Sequence, residues 1–131
     1  MKFKVLVVDD EPDVLQIVSG RLVREGFDVA GACDGEEALL KFSEFDPDLV
    51  LLDLTMPKLN GFEVLKQIRE KYTDRWRPVI IISAQTELDT LHKCYNMEAD
   101  HYLTKPCAID VILRGIETMR SLIPLRVNQG P

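Results

Sequence analysis

Five short apolar runs alternate with five segments of helical spacing, and this alternation restricts the fold more than any other feature of the sequence. The runs are Phe3–Val8, Phe27–Gly31, Leu49–Leu52, Val79–Ile82 and a brief His101–Leu103. They are near-continuous rather than alternating, as strands must be when a parallel sheet is covered on both faces. Between them lie amphipathic stretches. Val14, Ile17, Val18 and Leu22 form one stripe, with Pro12 suited to the first turn, where its missing N–H costs nothing. Asp34 and Glu37 have capping-box spacing before Ala38, Leu39 and Phe42, and Asn60 can cap a helix carrying Leu65 and Ile68. Leu88, Leu91 and Tyr95 mark a fourth helix. Ile109, Ile112, Ile116, Met119 and Ile123 mark a fifth, which Pro124 is expected to stop. The predicted fold class is α/β: an open, doubly wound, five-stranded parallel sheet, (βα)5, with helices on both faces.

The 131 residues fit one domain over 1–123, with 124–131 as a tail or the start of a linker. At 46% hydrophobic the chain is too apolar for a disordered segment, yet no apolar run approaches the ~18–20 residues that cross a bilayer. The apolar stretch after Lys4 ends at Asp9, too short for a signal peptide, so a cytoplasmic location is expected. A net charge of −6 disfavours direct binding of nucleic acid or anionic lipid. Cys33, Cys94 and Cys107 are odd in number and widely spaced, and read as reduced core or half-buried thiols.

In sheets of this kind ligands sit beyond the carboxyl ends of the strands. Strand one ends in Asp9-Asp10-Glu11, strand three in Asp53 and strand four in Ser83, while Lys105-Pro106 follows strand five. Taken singly each has an ordinary explanation: Glu11 or Asp10 as a helix cap, Ser83 as a turn residue, Lys105 as a solvated charge. Those explanations leave the convergence on one edge unaccounted for. Carboxylates held close together repel unless protons or a metal neutralise them, and oxygen-only ligands favour Mg²⁺. Asp53 could then act as a nucleophile toward a phosphoryl group, with Lys105 and the Ser83 hydroxyl binding its oxygens. The chain has neither G-x-x-x-x-G-K-[ST] nor G-x-G-x-x-G, so the phosphoryl donor is expected to be another phosphorylated protein or a small acyl phosphate.

Val7-Val8-Asp9-Asp10-Glu11-Pro12, Asp53-Leu54-Thr55-Met56-Pro57 with Gly61, Ser83-Ala84 and Tyr102-Leu103-Thr104-Lys105-Pro106 resemble the receiver domain of bacterial two-component response regulators. The resemblance runs from about Lys2 to Ile123. It implies a flavodoxin-like sheet with strand order 2-1-3-4-5. It makes Asp53 the phosphoacceptor, and it puts Mg²⁺ (or Mn²⁺ as a substitute) on Asp10, Asp53, the Thr55 backbone carbonyl and, through water, Asp9. Ser83 and Lys105 match the phosphoryl-binding residues, Tyr102 the aromatic switch, and Lys105–Pro106 a peptide bond that is typically cis. Thr55 and Gln85 fall where the family tunes hydrolysis of the phosphoryl group. The implied partners are a sensor histidine kinase or phosphotransfer protein, and an output domain or target on the helix 4–strand 5–helix 5 face. A second copy of the chain, paired on phosphorylation, is a further implied partner.

Three departures from the family pattern stand out. Cys107 replaces the usual Phe, and Met97-Glu98-Ala99-Asp100 puts Glu98 where a glycine with positive φ is expected. The basic loop Tyr72–Arg77 is longer, and Trp76 is expected over the sheet's lower edge. His92 and His101 read as surface or boundary residues rather than a phosphohistidine relay. A rival reading, a Mg²⁺-dependent phosphatase with an aspartyl-phosphate intermediate, would need a D-x-D after strand one and residues for a cap. A third, an interaction domain that is never phosphorylated, would be expected to lack an acid, the lysine or Asp53.

Overall fold

The computed structural model describes residues 2–54, 60–84 and 88–128, with side chains described through 126. Strands and helices alternate along the chain: β1 (Lys4–Val8), α1 (Pro12–Arg24), β2 (Asp28–Ala32), α2 (Gly35–Phe45), β3 (Leu49–Leu52), α3 (Gly61–Lys71), β4 (Val79–Ser83), α4 (Leu88–Asn96), β5 (His101–Thr104) and α5 (Ile109–Asn128). The strands form one parallel sheet in the order β2-β1-β3-β4-β5, as the resemblance implied.

The continuous apolar runs follow from this sheet having two covered faces. Leu6, Val8, Val50, Leu52, Val79 and Ile81 point to the side packed by α2, α3 and α4. Val5, Val7, Leu49, Leu51 and Ile80 point to the side packed by α1 and α5. Every residue of β3 is 0 or 1% exposed. Burying each such side chain is worth about 1.5–3 kcal/mol, so the central strand fixes the register of its neighbours.

Helix starts agree with the sequence. Asp34 Oδ1 accepts the Glu37 N–H at 2.8 Å, and Asn60 Oδ1 accepts the Glu63 N–H at 3.1 Å. Three other expectations need correction. Ile17 is 67% exposed, whereas Val14, Val18 and Leu22 of the expected stripe do face the core, joined there by Leu15. On α4 the anticipated stripe faces outward, with Leu88 and Tyr95 exposed, and Cys94 is the buried residue. Helix α5 does not stop at Pro124 but runs on to Asn128. Proline removes one helical hydrogen bond and crowds the carbonyl four residues back, a cost that a last turn tethered elsewhere can absorb. Arg126 supplies such a tether, its guanidinium 4.2 Å from the centre of the Trp76 ring.

At the amino edge of the sheet the chain is held by arginines. Trp76 is found there as expected, donating to Asp100 Oδ1 at 3.1 Å. Arg69 pairs with Asp100 Oδ2 at 2.6 Å and donates twice to the Glu98 carbonyl, which fixes Glu98 at φ 67°. The left-handed conformation expected at Glu98 is therefore kept although no glycine is present. Arg77, only 3% exposed, pairs with Asp46 and Asp74 and donates to the Pro47 carbonyl. Cys33 is exposed, contrary to the core or half-buried reading, because it follows the last residue of an edge strand; Cys94 is buried and Cys107 half-buried, and all three are free thiols. Among the described residues no helix is long and apolar enough to cross a membrane.

Candidate functional site

The parallel arrangement brings the strand ends to one edge. Asp9 follows β1 and donates its N–H to the Ala32 carbonyl, while Asp53 follows β3 and donates its N–H to the Val8 carbonyl. These bonds continue the sheet ladder by one residue and hold both aspartates against the core, each 5% exposed. Asp10 is more open to solvent. One carboxylate oxygen from each of Asp9, Asp10 and Asp53 lies within 4.8 Å of the others.

Lys105 reaches across from the end of β5. Its Nζ lies 3.0 Å from Asp9 Oδ2, 3.5 Å from Glu11 Oε1 and 3.6 Å from Asp53 Oδ2. Burial alone would lower its pKa; the hydrogen bond to Asp9 and the charges of Asp53, Asp9 and Glu11 outweigh burial and raise it above the usual 10.5. The backbone that delivers this lysine is fixed by its own N–H, which donates to the Ser83 carbonyl at 2.9 Å, and the following Lys105–Pro106 bond is cis, as expected. Ser83 is fully buried at the end of β4. Tyr102 is half-buried, packed on the α2–α3–α4 side of the sheet. Thr55, with its expected carbonyl ligand, and Gln85 lie outside the described residues.

Two residues matter more than the sequence suggested. Glu11 occupies the N-cap position of α1 without a side-chain capping hydrogen bond; its carboxylate faces Lys105 instead. Gly61 lies against the backbone of the strand end that carries Asp53. A Cβ there would come 2.5 Å from the Asp53 carbonyl oxygen and 2.6 Å from Leu54 Cα. Its N–H donates to the Leu54 carbonyl at 3.0 Å. From sequence alone this glycine is only part of a motif, since its close approach is set by where α3 docks.

Among the described residues four carboxylates, of Asp9, Asp10, Glu11 and Asp53, gather about one ammonium and leave excess negative charge in a partly buried space, and all donors are oxygens. That donor set suits a hard divalent cation such as Mg²⁺. A family model described as the response regulator receiver domain matches residues 5–117. The chain belongs to this receiver family.

Receiver domains are signalling modules that bind Mg²⁺ at their acidic pocket and interact with histidine kinases or phosphotransfer proteins. Among relatives, the alkaline phosphatase synthesis transcriptional regulatory protein PhoP of Bacillus subtilis is 43% identical over 108 residues, covering 81% of this chain and 43% of that protein. The response regulator RR06 of Streptococcus pneumoniae is 36% identical over 115 residues, covering 88% of this chain and 52% of that one. The chain thus spans about half the length of these curated relatives. Among solved structures, the chemotaxis protein CheY4 of Vibrio cholerae superposes with a TM-score of 0.85 at 30% identity, covering 90% of this chain and 98% of that one. A CheX–CheY complex of Borrelia burgdorferi with beryllofluoride and Mg²⁺ gives a TM-score of 0.82 at 32% identity, covering 89% and 88%.

Proposed function

We propose that Asp53 of this receiver domain accepts a phosphoryl group from a phosphohistidine on a sensor kinase or phosphotransfer protein, or from a small acyl phosphate, in the cytoplasm. The observation that carries the reading is Asp53 Oδ2 at 3.6 Å from the Lys105 ammonium, with the Asp9 and Asp10 carboxylates beside it. An Asp53 oxygen attacks phosphorus, the bond from phosphorus to the donor's nitrogen or oxygen breaks, and the leaving group departs with the electron pair. Lys105 neutralises the equatorial oxygens and the Ser83 hydroxyl donates to one of them. When bound, Mg²⁺ (or Mn²⁺) withdraws charge from the same oxygens.

Asp10, Asp53 and the Thr55 carbonyl would hold the metal. Asp9 already has both oxygens engaged, Oδ1 by the Glu11 N–H at 2.9 Å and Oδ2 by Lys105 at 3.0 Å, which supports a contact through water for Asp9 and a direct one for Asp10. Asp10→Asn should therefore weaken Mg²⁺ binding more than Asp9→Asn in a calorimetric titration.

The output face in this reading is α4, β5 and α5. Drawing the Ser83 hydroxyl toward the phosphoryl group frees space into which Tyr102 can turn, at a coupling of about 1–3 kcal/mol. Leu88 and Tyr95 of α4 and Val111 and Leu122 of α5 already stand exposed there, an apolar surface suited to a target, an output domain or a second copy. Incubation with acetyl phosphate and Mg²⁺, read by intact mass, tests the assignment. One phosphoryl group per chain is expected, absent in Asp53→Asn and in EDTA. Labelling that persists in either sinks it.

A further inference from the structure

A cleft of about 490 Å³ opens beneath the acidic edge, between α1 and α5 on the sheet face opposite α3. Its walls are Val14 and Val18 of α1, Leu51 and Ile82 of the sheet, Cys107 just before α5, and Ile112 in its first turn. Its volume lies within the range of about 300–1,000 Å³ usual for small-molecule sites. The sheet itself records the missing cover. Val79, Ile80 and Ile81 in β4 are 0% exposed, yet Ile82, one residue further along the same strand, is only half-buried. Ile82 shares its face with Ile80, so solvent reaches a core position from the α1–α5 side. Cys107, small where the receiver pattern carries Phe, stands at that gap, and burial pushes its thiol pKa up, so this wall is uncharged near neutral pH.

The mouth is acidic. Among the described residues, Asp9, Glu11 and Asp53 border the cleft with Lys105 as the one cation. An apolar anion would bring its charge toward three carboxylates, whereas a protonated amine would meet them favourably. Glu11 is the most accessible of these acids, its side chain 62% exposed.

We infer that this cleft binds a small molecule with an aromatic or branched aliphatic body and a protonated amine, the body on Ile82, Cys107 and Ile112 and the amine beside Glu11. The inference goes beyond phosphoacceptance and does not rest on it, so either can fail alone.

The test is a titration of the metal-free protein with tryptamine, 3-methylindole and indole-3-acetate, followed by methyl and amide NMR. These probes share a ring and differ in charge. Shifts should centre on Val14, Val18, Ile82 and Ile112, with tryptamine at least about tenfold tighter than indole-3-acetate and 3-methylindole between them. Cys107→Phe should fill the cleft and weaken tryptamine by at least about tenfold, and Val14→Phe should do the same from the opposite wall. Cys107→Ala should bind as tightly as wild type. Glu11→Gln should weaken tryptamine about threefold and leave 3-methylindole unchanged. Equal affinity for the three probes, shifts centred elsewhere, or full binding by both folded phenylalanine variants would overturn the inference.

Discussion

The Nζ of Lys105 lies 3.6 Å from Oδ2 of Asp53 and hydrogen-bonds Oδ2 of Asp9 at 3.0 Å. One ammonium therefore serves as internal counter-ion to two buried carboxylates from different strands. It occupies electrostatically the place that a divalent cation also wants.

Competition between the two follows directly. Lys105→Met should raise Mg²⁺ affinity by about three- to tenfold, since one positive charge within 4 Å is withdrawn from the acids. The same variant should lose most of its phosphorylation by acetyl phosphate. Because the folded-state pKa of Lys105 is raised above 10.5, its contribution to stability is complete below that value and fades only as pH climbs through the higher folded value. Calorimetry at neutral pH thus compares fully charged lysine with none, and a fall in Mg²⁺ affinity would contradict this account.

Gly61→Ala should damage the site from outside it. The added carbon would meet two backbone atoms of the Asp53–Leu54 peptide at 2.5 and 2.6 Å, which cannot swing aside as a side chain can. A loss of about 2–4 kcal/mol is expected in urea unfolding, together with phosphorylation slowed at least about tenfold in molecules that still fold. Unchanged stability would mean that α3 shifts freely on the sheet.

How much of this could be read beforehand depends on the range of the interaction. The strands and the five edge residues Asp9, Asp10, Asp53, Ser83 and Lys105 were legible because each is adjacent in sequence to its own apolar run. Helix facing was less legible. Leu88, Leu91 and Tyr95 have core spacing, but α4 is only nine residues long and turns Cys94 inward, leaving Leu88 and Tyr95 outside. The arginine clamps were invisible, since Arg77 meets Asp46 31 positions away and Arg69 meets Asp100 at the same separation. Pro124 does not end α5 because the Arg126–Trp76 contact, which no local propensity reflects, lies beyond it.

Glu98→Gly should stabilise the protein. Glu98 sits at φ 67°, where a Cβ is unfavourable, and its contact to Arg69 uses the backbone carbonyl, which glycine keeps. Relief of strain is partly offset by the greater entropy of an unfolded glycine, leaving a gain of about 0.5–1 kcal/mol in chemical denaturation. A loss would show that the Glu98 side chain holds the α4–β5 turn in some further way.

Arg77 offers a pH-dependent counterpart at the far edge of the sheet. Its guanidinium is 2.6 Å from Asp46 Oδ1 and 2.9 Å from Asp74 Oδ1, and lies 5.3 Å from the centre of the Phe42 ring. The hydrogen bond from Arg77 is the main reason that both carboxyl groups are held below their ordinary 3.8; slight burial opposes it and nearby positive charge adds to it. A carboxylate depressed in the folded state contributes fully above its unfolded pKa, and the contribution disappears as pH falls through the folded value. Arg77→Met should therefore cost about 2–3 kcal/mol at pH 7, toward the low end for a buried ion because both acids are largely exposed. The gap between wild type and variant should hold down to about pH 4 and narrow below it as Asp46 and Asp74 take up protons. Urea midpoints from pH 7 to pH 2.5 measure it, and a gap that stays constant across that range would place the value of Arg77 in its stacking on Phe42 and Tyr72 rather than in its ion pairs.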